Sequence, residues 1–333
     1  MSPNACKDGP VLKTDINNNT IEENSPDLVT CESEASIDLR IVLAKNDVVI
    51  ENRILGSGCF SKVRYGFSKK EHKYVAIKQI DLRQKTDFVN RFLPRELKIV
   101  KILNHPNIVK CYDIIQSPGY VSIIEEYVEN GDLLHKIKKE KRLSNDESQF
   151  LLRQLVEALR YLNSLEIVHR DLKCENIFLD KYGNMKLGDF GFARHLPSGV
   201  TSKTFCGSKA YVALEILRAT MYTGQGVDIW SSGVILYIML TGCMPFRDSK
   251  PREMIYYQMK RRIVYPSSAN VSTEAKSLIY EMLHPDPSMR YNCGQILEHP
   301  WMKNVKYEVR GPSKDYPNPT LSESSHTEEV DQE

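Results

Sequence analysis

The segment Val168-His-Arg-Asp-Leu-Lys-Cys-Glu-Asn176, followed eighteen residues after Asp171 by Asp189-Phe-Gly191, decides how this chain is read. Asp171 offers a proton acceptor, Lys173 a phosphate clamp, Asn176 a neutral metal ligand and Asp189 a charged one. Phosphoryl transfer needs these parts, since its transition state demands positioning and charge neutralisation more than covalent chemistry. Any one of the four could be a structural cap. The whole set in this order makes coincidence negligible.

Upstream, Leu55-Gly-Ser-Gly-Cys-Phe-Ser-Lys-Val63 places two glycines, Gly56 and Gly58, between two strand-like runs, where backbone can approach phosphate oxygens. Alone this spacing is a weak signal, because ordinary turns share it. Val75-Ala-Ile-Lys78 follows, a strand whose alternation puts Ala76 and Lys78 on one face. By itself Lys78 would be taken for a surface lysine at a strand end.

Short strand-like runs at Val48 to Ile50, Lys62 to Gly66, Tyr74 to Ile80 and Val121 to Glu126 fill the first part of the domain. One helix interrupts them between Asp87 and Leu103, with Pro94 as an irregular point. After Gly131 the period turns helical. Ser144 to Glu147 forms a capping box, and Leu151, Leu155, Leu159 and Leu162 line one face. An α+β class follows, a small sheet-rich lobe with one main helix and a larger helical lobe, with a ligand cleft between them.

The 333 residues are 41% hydrophobic and 26% charged, near globular averages. Lys plus Arg at 45 against Asp plus Glu at 43 leaves +2, too little for a dedicated nucleic-acid binder. Eight cysteines never fall within four residues of one another, so no CxxC zinc or redox pair exists and a reducing compartment fits. The first residues lack the apolar core of a signal peptide. The uncharged run Ile229 to Phe246 carries two serines, two glycines, a threonine and a proline, and is expected to be a buried helix, not a membrane span. Residues 1–45 and 305–333, the latter acidic, show no period and are expected to be disordered. No internal repeat is present.

On these motifs the chain resembles the eukaryotic protein kinases between about Val49 and Trp301, with a small lobe to about 128 and a large lobe from about 129. The resemblance implies the bilobal kinase fold with a small antiparallel sheet, ATP and Mg²⁺ as cofactors, and protein substrates. On it, Lys78 holds the α- and β-phosphates and pairs with Glu96, while Asp171 accepts the substrate proton and Lys173 steadies the γ-phosphate. Asn176 and Asp189 hold Mg²⁺. The loop Leu55, Gly56, Ser57, Gly58, Cys59, Phe60, Ser61, Lys62 and Val63 covers the nucleotide. Adenine lies between Leu55, Val63, Ala76 and Phe178, with hinge hydrogen bonds from Glu126 and Val128, and Asp132 meets the ribose or a basic substrate side chain. Asp228 anchors the catalytic loop, and Arg290 pairs with Glu215. Ser208 contacts Asp171 and Lys173.

The lysine of HRDLKCEN together with Ser208 resembles the serine/threonine class, and SKTFCGSKAY, FLPREL and DLKCEN resemble the testis-specific serine kinases within the calcium/calmodulin-dependent group. Asp132 and Glu175 match acidic positions of basophilic relatives, which implies Arg-x-x-Ser/Thr targets; Ile238 stands where some relatives carry another acid. Phosphorylation of Thr204 by an upstream kinase, read by Arg170 and Arg194, is the implied activation. Calmodulin control is not expected, because Gly311, Pro312 and Pro317 break any long basic helix after Trp301. A cytoplasmic monomer is implied, with nuclear entry open to it and no membrane or nucleic-acid partner. KIKKEKR at 136–142 is expected to be a solvated helix end, and Cys59 and Cys206 ordinary thiols.

Three positions depart from the family pattern. Ser61 replaces the third loop glycine, Leu214 replaces the proline of Ala-Pro-Glu, and Glu125 occupies the usually apolar position before the hinge. A carboxylate there must be hydrated, paired or protonated. These departures leave a pseudokinase scaffold as the alternative. A kinase of small metabolites is a third reading, against which the peptide-positioning run Thr201 to Glu215 stands.

Overall fold

The computed structural model describes residues 34–58, 61–83, 86, 88–204 and 207–311. Helix α1 (Glu34–Lys45) leads into β1 (Val48–Ser57), β2 (Ser61–Ser68) and β3 (Lys73–Asp81). A π-helical turn at Phe88–Phe92 opens α2 (Leu93–Ile102), and β4 (Cys111–Ser117) and β5 (Tyr120–Glu126) complete an antiparallel sheet of order β1-β2-β3-β5-β4. The irregular point at Pro94 is thus a helix start, where a missing N–H costs nothing.

Alternation divides the sheet into two apolar faces. Val75 and Ile77 of β3 with Ile124 of β5 pack under Leu39 and Leu43 of α1, whereas Ile80, Val121 and Ile123 join the core that includes Leu93, Ile99 and Val100 of α2. Among the described residues the small lobe therefore carries two α-helices, not one. Residues 34–45, expected to be disordered, form α1 because Leu39 and Leu43 fall four apart and find an uncovered sheet face. Residues 1–33 lie outside the described residues.

The large lobe comprises α3 (Leu133–Glu140), α4 (Asn145–Ser164), β6 (Ile167–Val168), β7 (Ile177–Leu179), β8 (Met185–Leu187), β9 (Arg194–His195), α5 (Leu214–Leu217), α6 (Gly224–Thr241), α7 (Pro251–Met259), α8 (Thr273–Met282) and α9 (Cys293–Glu298). Leu151, Leu155, Leu159 and Leu162 of α4 are buried. Only half of the expected capping box forms: the Glu147 N–H donates to Ser144 Oγ at 3.2 Å, while the Glu147 carboxylate pairs with Lys136 at 2.9 Å. Lys136 also meets Glu140 at 2.7 Å, so it is neutralised within the basic run. Helix α6 is buried nearly all round, and no helix among the described residues is long and apolar enough to cross a membrane.

Residues 303–311 form a strap along α4, although 305–311 are expected to be disordered. Arg153 Nη1 donates to the Val305 carbonyl at 2.7 Å, Gln154 Nε2 to that of Glu308 at 2.8 Å, and Asn184 exchanges two hydrogen bonds with the Arg310 backbone. The Arg310 guanidinium lies 3.7 Å from the Phe150 ring centroid. The acids that gave this tail its disordered composition stand at 323–333, outside the described residues.

Candidate active site

Lys78 is nearly fully buried on the cleft face of β3, opposite the face that packs on α1. Its Nζ lies 2.7 Å from Glu96 Oε1 of α2 and 2.9 Å from Asp189 Oδ1, which follows β8. Burial alone would depress an ammonium, but Glu96, Asp189 and Glu125 together hold Lys78 well above the ordinary lysine range. The Lys78 charge in turn keeps the Asp189 carboxyl down at about 2. Asp189 takes a positive φ of 56°, a conformation non-glycine residues rarely adopt, which aims its carboxylate back at the lysine.

Glu125 pairs across the sheet with Ala76 on one side and Cys111 on the other. Desolvation pushes its carboxyl up to about 7, opposed by Lys78 and reinforced by Glu96 and Asp189. At neutral pH it is therefore divided between the protonated and ionised forms. The Cys111 thiol beside it rises to about 12 through burial and the Glu125 charge, which makes it an inert thiol.

The catalytic loop is held from below. Asp228 of α6 accepts the His169 N–H at 2.8 Å and the Arg170 N–H at 2.9 Å, although burial pushes its carboxyl upward. These bonds maintain Arg170 at a φ of 68°. His169 Nε2 donates to the Gly188 carbonyl at 3.1 Å, which leaves Nδ1 to accept the Asp171 N–H at 3.3 Å and sets the tautomer.

Four contacts fix the Asp171 carboxylate. Oδ2 accepts from Lys173 Nζ at 2.8 Å and Asn176 Nδ2 at 3.2 Å; Oδ1 accepts from the Ser208 N–H at 3.0 Å and its hydroxyl at 3.2 Å. Lys173 Nζ also reaches Ser208 Oγ at 3.4 Å. Gly207 makes this approach feasible: its φ is 92°, and a Cβ there would stand 2.6 Å from the Arg170 carbonyl oxygen.

Leu55, Val63, Ala76 and Phe178 are each only half-buried, the state expected of apolar groups that face an open cleft. The Glu126 N–H already donates to the Lys110 carbonyl at 2.8 Å, which leaves it no proton for the expected hinge bond. Gly56 and Ser57 pair with Val63 and Lys62 across β1 and β2, and the Gly58 N–H closes the loop on the Ser61 carbonyl at 2.8 Å. Cys59 and Phe60 lie outside the described residues, as does Cys206.

Asp132 caps α3 through the His135 N–H at 2.8 Å, and Glu175 accepts from the Tyr211 hydroxyl at 3.3 Å. Helix α3, which Asp132 caps, packs on the turn Cys174–Asn176 that carries Glu175. Arg290 grips Glu215 through Nη1–Oε1 at 2.7 Å and Nη2–Oε2 at 3.0 Å.

The activation segment gathers more arginine than the sequence reading named. Arg170 donates through Nε to the Phe192 carbonyl at 2.8 Å, but its buried Nη2 has no hydrogen-bond partner among the described residues. Arg194 Nη1 reaches Ser202 Oγ at 3.3 Å, and the Tyr222 hydroxyl donates to the Thr204 carbonyl at 3.0 Å. Arg95 of α2 joins this group: burial and the charges of Arg194, Arg170 and Arg91 all press its pKa down. The sequence reading passed over Arg95 and Arg91 although both stand within five residues of Glu96, because only the fold brings α2 to the segment. It likewise missed the Lys186–Glu126 pair at 2.7 Å that secures the hinge to β8.

The pattern of the protein kinase domain matches residues 49–302. Testis-specific serine/threonine-protein kinase 2 of Mus musculus is 45% identical over 259 residues, covering 76% of this chain and 72% of that protein. Testis-specific serine/threonine-protein kinase 1 of the same organism is 43% identical over 281 residues, 82% and 76% of the two chains. Testis-specific serine/threonine-protein kinase 3 of Mus musculus is 40% identical over 257 residues, 76% and 95%.

Proposed function

The chain belongs to the protein kinase family, as a serine/threonine kinase similar to the testis-specific members, and on that premise we propose how it selects its targets and how it is switched on. Asp171 takes the proton of the substrate hydroxyl while that oxygen bonds to the γ-phosphorus of ATP and the bond to the β-phosphate bridging oxygen breaks, releasing ADP. Ser208 supports this role, since its hydroxyl already donates to Asp171 and accepts from Lys173, the pair of contacts an entering serine or threonine has to make. Lys173 stands beside the proton acceptor to meet the transferred phosphoryl group, and Lys78, oriented by Glu96, meets the other phosphates.

The donor set suits Mg²⁺. Asn176 directs its amide N–H groups at Asp171, which turns its carbonyl oxygen over to a cation, and the Asp189 side chain is 43% exposed and ionised. When bound with ATP, Mg²⁺ supplies neutralisation of the β- and γ-phosphates.

Targets of the form Arg-x-x-Ser/Thr are supported by Asp132 and Glu175, carboxylates at the start of α3 and on the turn it packs against, to which an arginine can donate. Thr204 is the activating site. A phosphate there adds roughly −1.5 to −2 charges amid Arg170, Arg194 and Arg95, where Arg170 Nη2, partnerless among the described residues, awaits an acceptor. The enzyme works as a cytoplasmic monomer under an upstream kinase, independently of calmodulin, since Gly311, Pro312 and Pro317 interrupt any long basic helix after Trp301.

The test incubates the protein with labelled ATP, Mg²⁺ and a degenerate peptide library, alongside Asp132→Asn, which keeps the helix cap, and Glu175→Gln. Selection of arginine three residues before the target, weakened in both variants, supports the reading. Proline-directed or acidic selection overturns the specificity, and no transfer at all favours the scaffold alternative.

A further inference from the structure

The strap 303–311 extends past the residues that the kinase pattern matches, and one of its side chains leaves α4 for the small lobe. Tyr307 Oη donates to Asn107 Oδ1 at 2.8 Å. Asn107 is completely buried in the loop that joins α2, which carries Glu96, to β4. Its Nδ2 donates to the Met185 carbonyl at 3.0 Å, so the amide is locked in one orientation with its oxygen toward the tyrosine. Its own carbonyl accepts the Leu187 N–H at 2.9 Å, and the Leu187 carbonyl accepts the Val109 N–H at 2.9 Å. The next residue, Gly188, donates to the Asn176 carbonyl at 2.9 Å, and Asp189 follows. Tyr161 of α4 holds the same loop from its other end, accepting the Asn104 N–H at 2.9 Å.

We propose that Tyr307 is a positioning residue for phosphoryl transfer: through Asn107 it fastens the α2–β4 loop to the strand that delivers Asp189. Without its hydroxyl, Asn107 Oδ1 is left buried with no donor, a state that favours opening of the loop. Opening loosens two members of the Lys78 cluster together: Glu96, on the helix that runs into the loop, and Asp189, which follows the strand that the loop hydrogen-bonds. Neither Tyr307 nor Asn107 hydrogen-bonds Asp132 or Glu175 among the described residues, so peptide recognition is expected to be unaffected by the contact.

The test uses full-length Tyr307→Phe, which removes one oxygen, with Lys303→Ala on the exposed side of the strap as control. Expected are a fall in kcat of about three- to tenfold, an unchanged KM for peptide, a melting temperature lowered by no more than about a few degrees, and faster amide exchange at Val109 and Leu187. Wild-type kcat overturns the proposal, whatever the exchange shows. So does a loss in which melting temperature falls further and peptide KM changes along with kcat, which marks general loosening, or an equal loss in Lys303→Ala.

Discussion

Arg290 and Glu215 are 75 residues apart and meet as a buried two-pronged ion pair, with the guanidinium also donating to the Gly226 and His284 carbonyls. Removing one partner strands the other charge in the interior. Glu215→Gln is therefore expected to destabilise the large lobe by about 3–5 kcal/mol, read as a lowered thermal midpoint. Leu214 beside it is the first residue of α5, and Ala213 before it has φ −66° and ψ 153°, the backbone that precedes proline comfortably. Leu214→Pro should stay within about 1 kcal/mol of wild type and keep activity, so a leucine in this place is compatible with a working segment.

Asp171→Asn removes the proton acceptor while its amide can still contact Lys173 or Ser208. Turnover should drop by roughly 10²–10⁴-fold with ATP affinity nearly intact. Single-turnover phosphorylation of a peptide, beside a nucleotide-binding titration, checks both halves.

Glu125 introduces a pH dependence whose sign follows from its raised carboxyl. A folded value of about 7 against the usual 4.5 means that the native state holds the proton more tightly than the unfolded chain. Stability from this group is complete below the usual value and is lost as pH rises toward and through 7. Glu125→Gln, which cannot ionise, should gain on the order of 1–3 kcal/mol over wild type at pH 8 and nothing at pH 4. Denaturant melts at the two pH values decide it.

The arginine group predicts who responds to phosphorylation at Thr204. Thr204→Ala should show no stimulation by an activating kinase. Arg95→Gln should keep the unphosphorylated rate and lose about 3- to 10-fold of the stimulation, because one charge-assisted bond to the phosphate is gone. Rates measured before and after phosphatase treatment separate the two variants.

Helix α1 is predicted to be integral to the small lobe. Leu43 is fully buried against the sheet, so Leu43→Ala should cost about 2–5 kcal/mol, whereas Ile41→Ala, half-exposed on the same helix, should cost little. Thermal unfolding of the two variants makes the comparison.

Local signals were legible where one short segment carried the chemistry. Asp171, Lys173 and Asn176 lie within six residues, and their mutual contacts are nearly dictated by that spacing. Glu96 follows from the resemblance, as the helix glutamate eighteen residues after Lys78, and Asp228 from a short motif that resembles the family's. What composition obscured was burial against distant partners. The polar leader ends in a helix because a sheet face needed cover, and the tail runs as a strap because α4 exposes Arg153 and Gln154 to its carbonyls. Neither requirement is written in the segment that meets it. The arginine group joins Arg95 to residues 75 and 99 positions on, and the Tyr307–Asn107 bond spans 200, beyond any periodic signal.

The two backbone bonds that Asp228 accepts tie the catalytic loop to the most deeply buried helix of the molecule. The proton acceptor therefore has no independent way to fail on heating. Heat inactivation of phosphoryl transfer should track melting of the large lobe, while nucleotide affinity, resting on the sheet, Lys78 and the hinge, is free to decline at a different temperature. The enzyme would then pass through a warm state that has lost its grip on ATP with its chemistry still assembled.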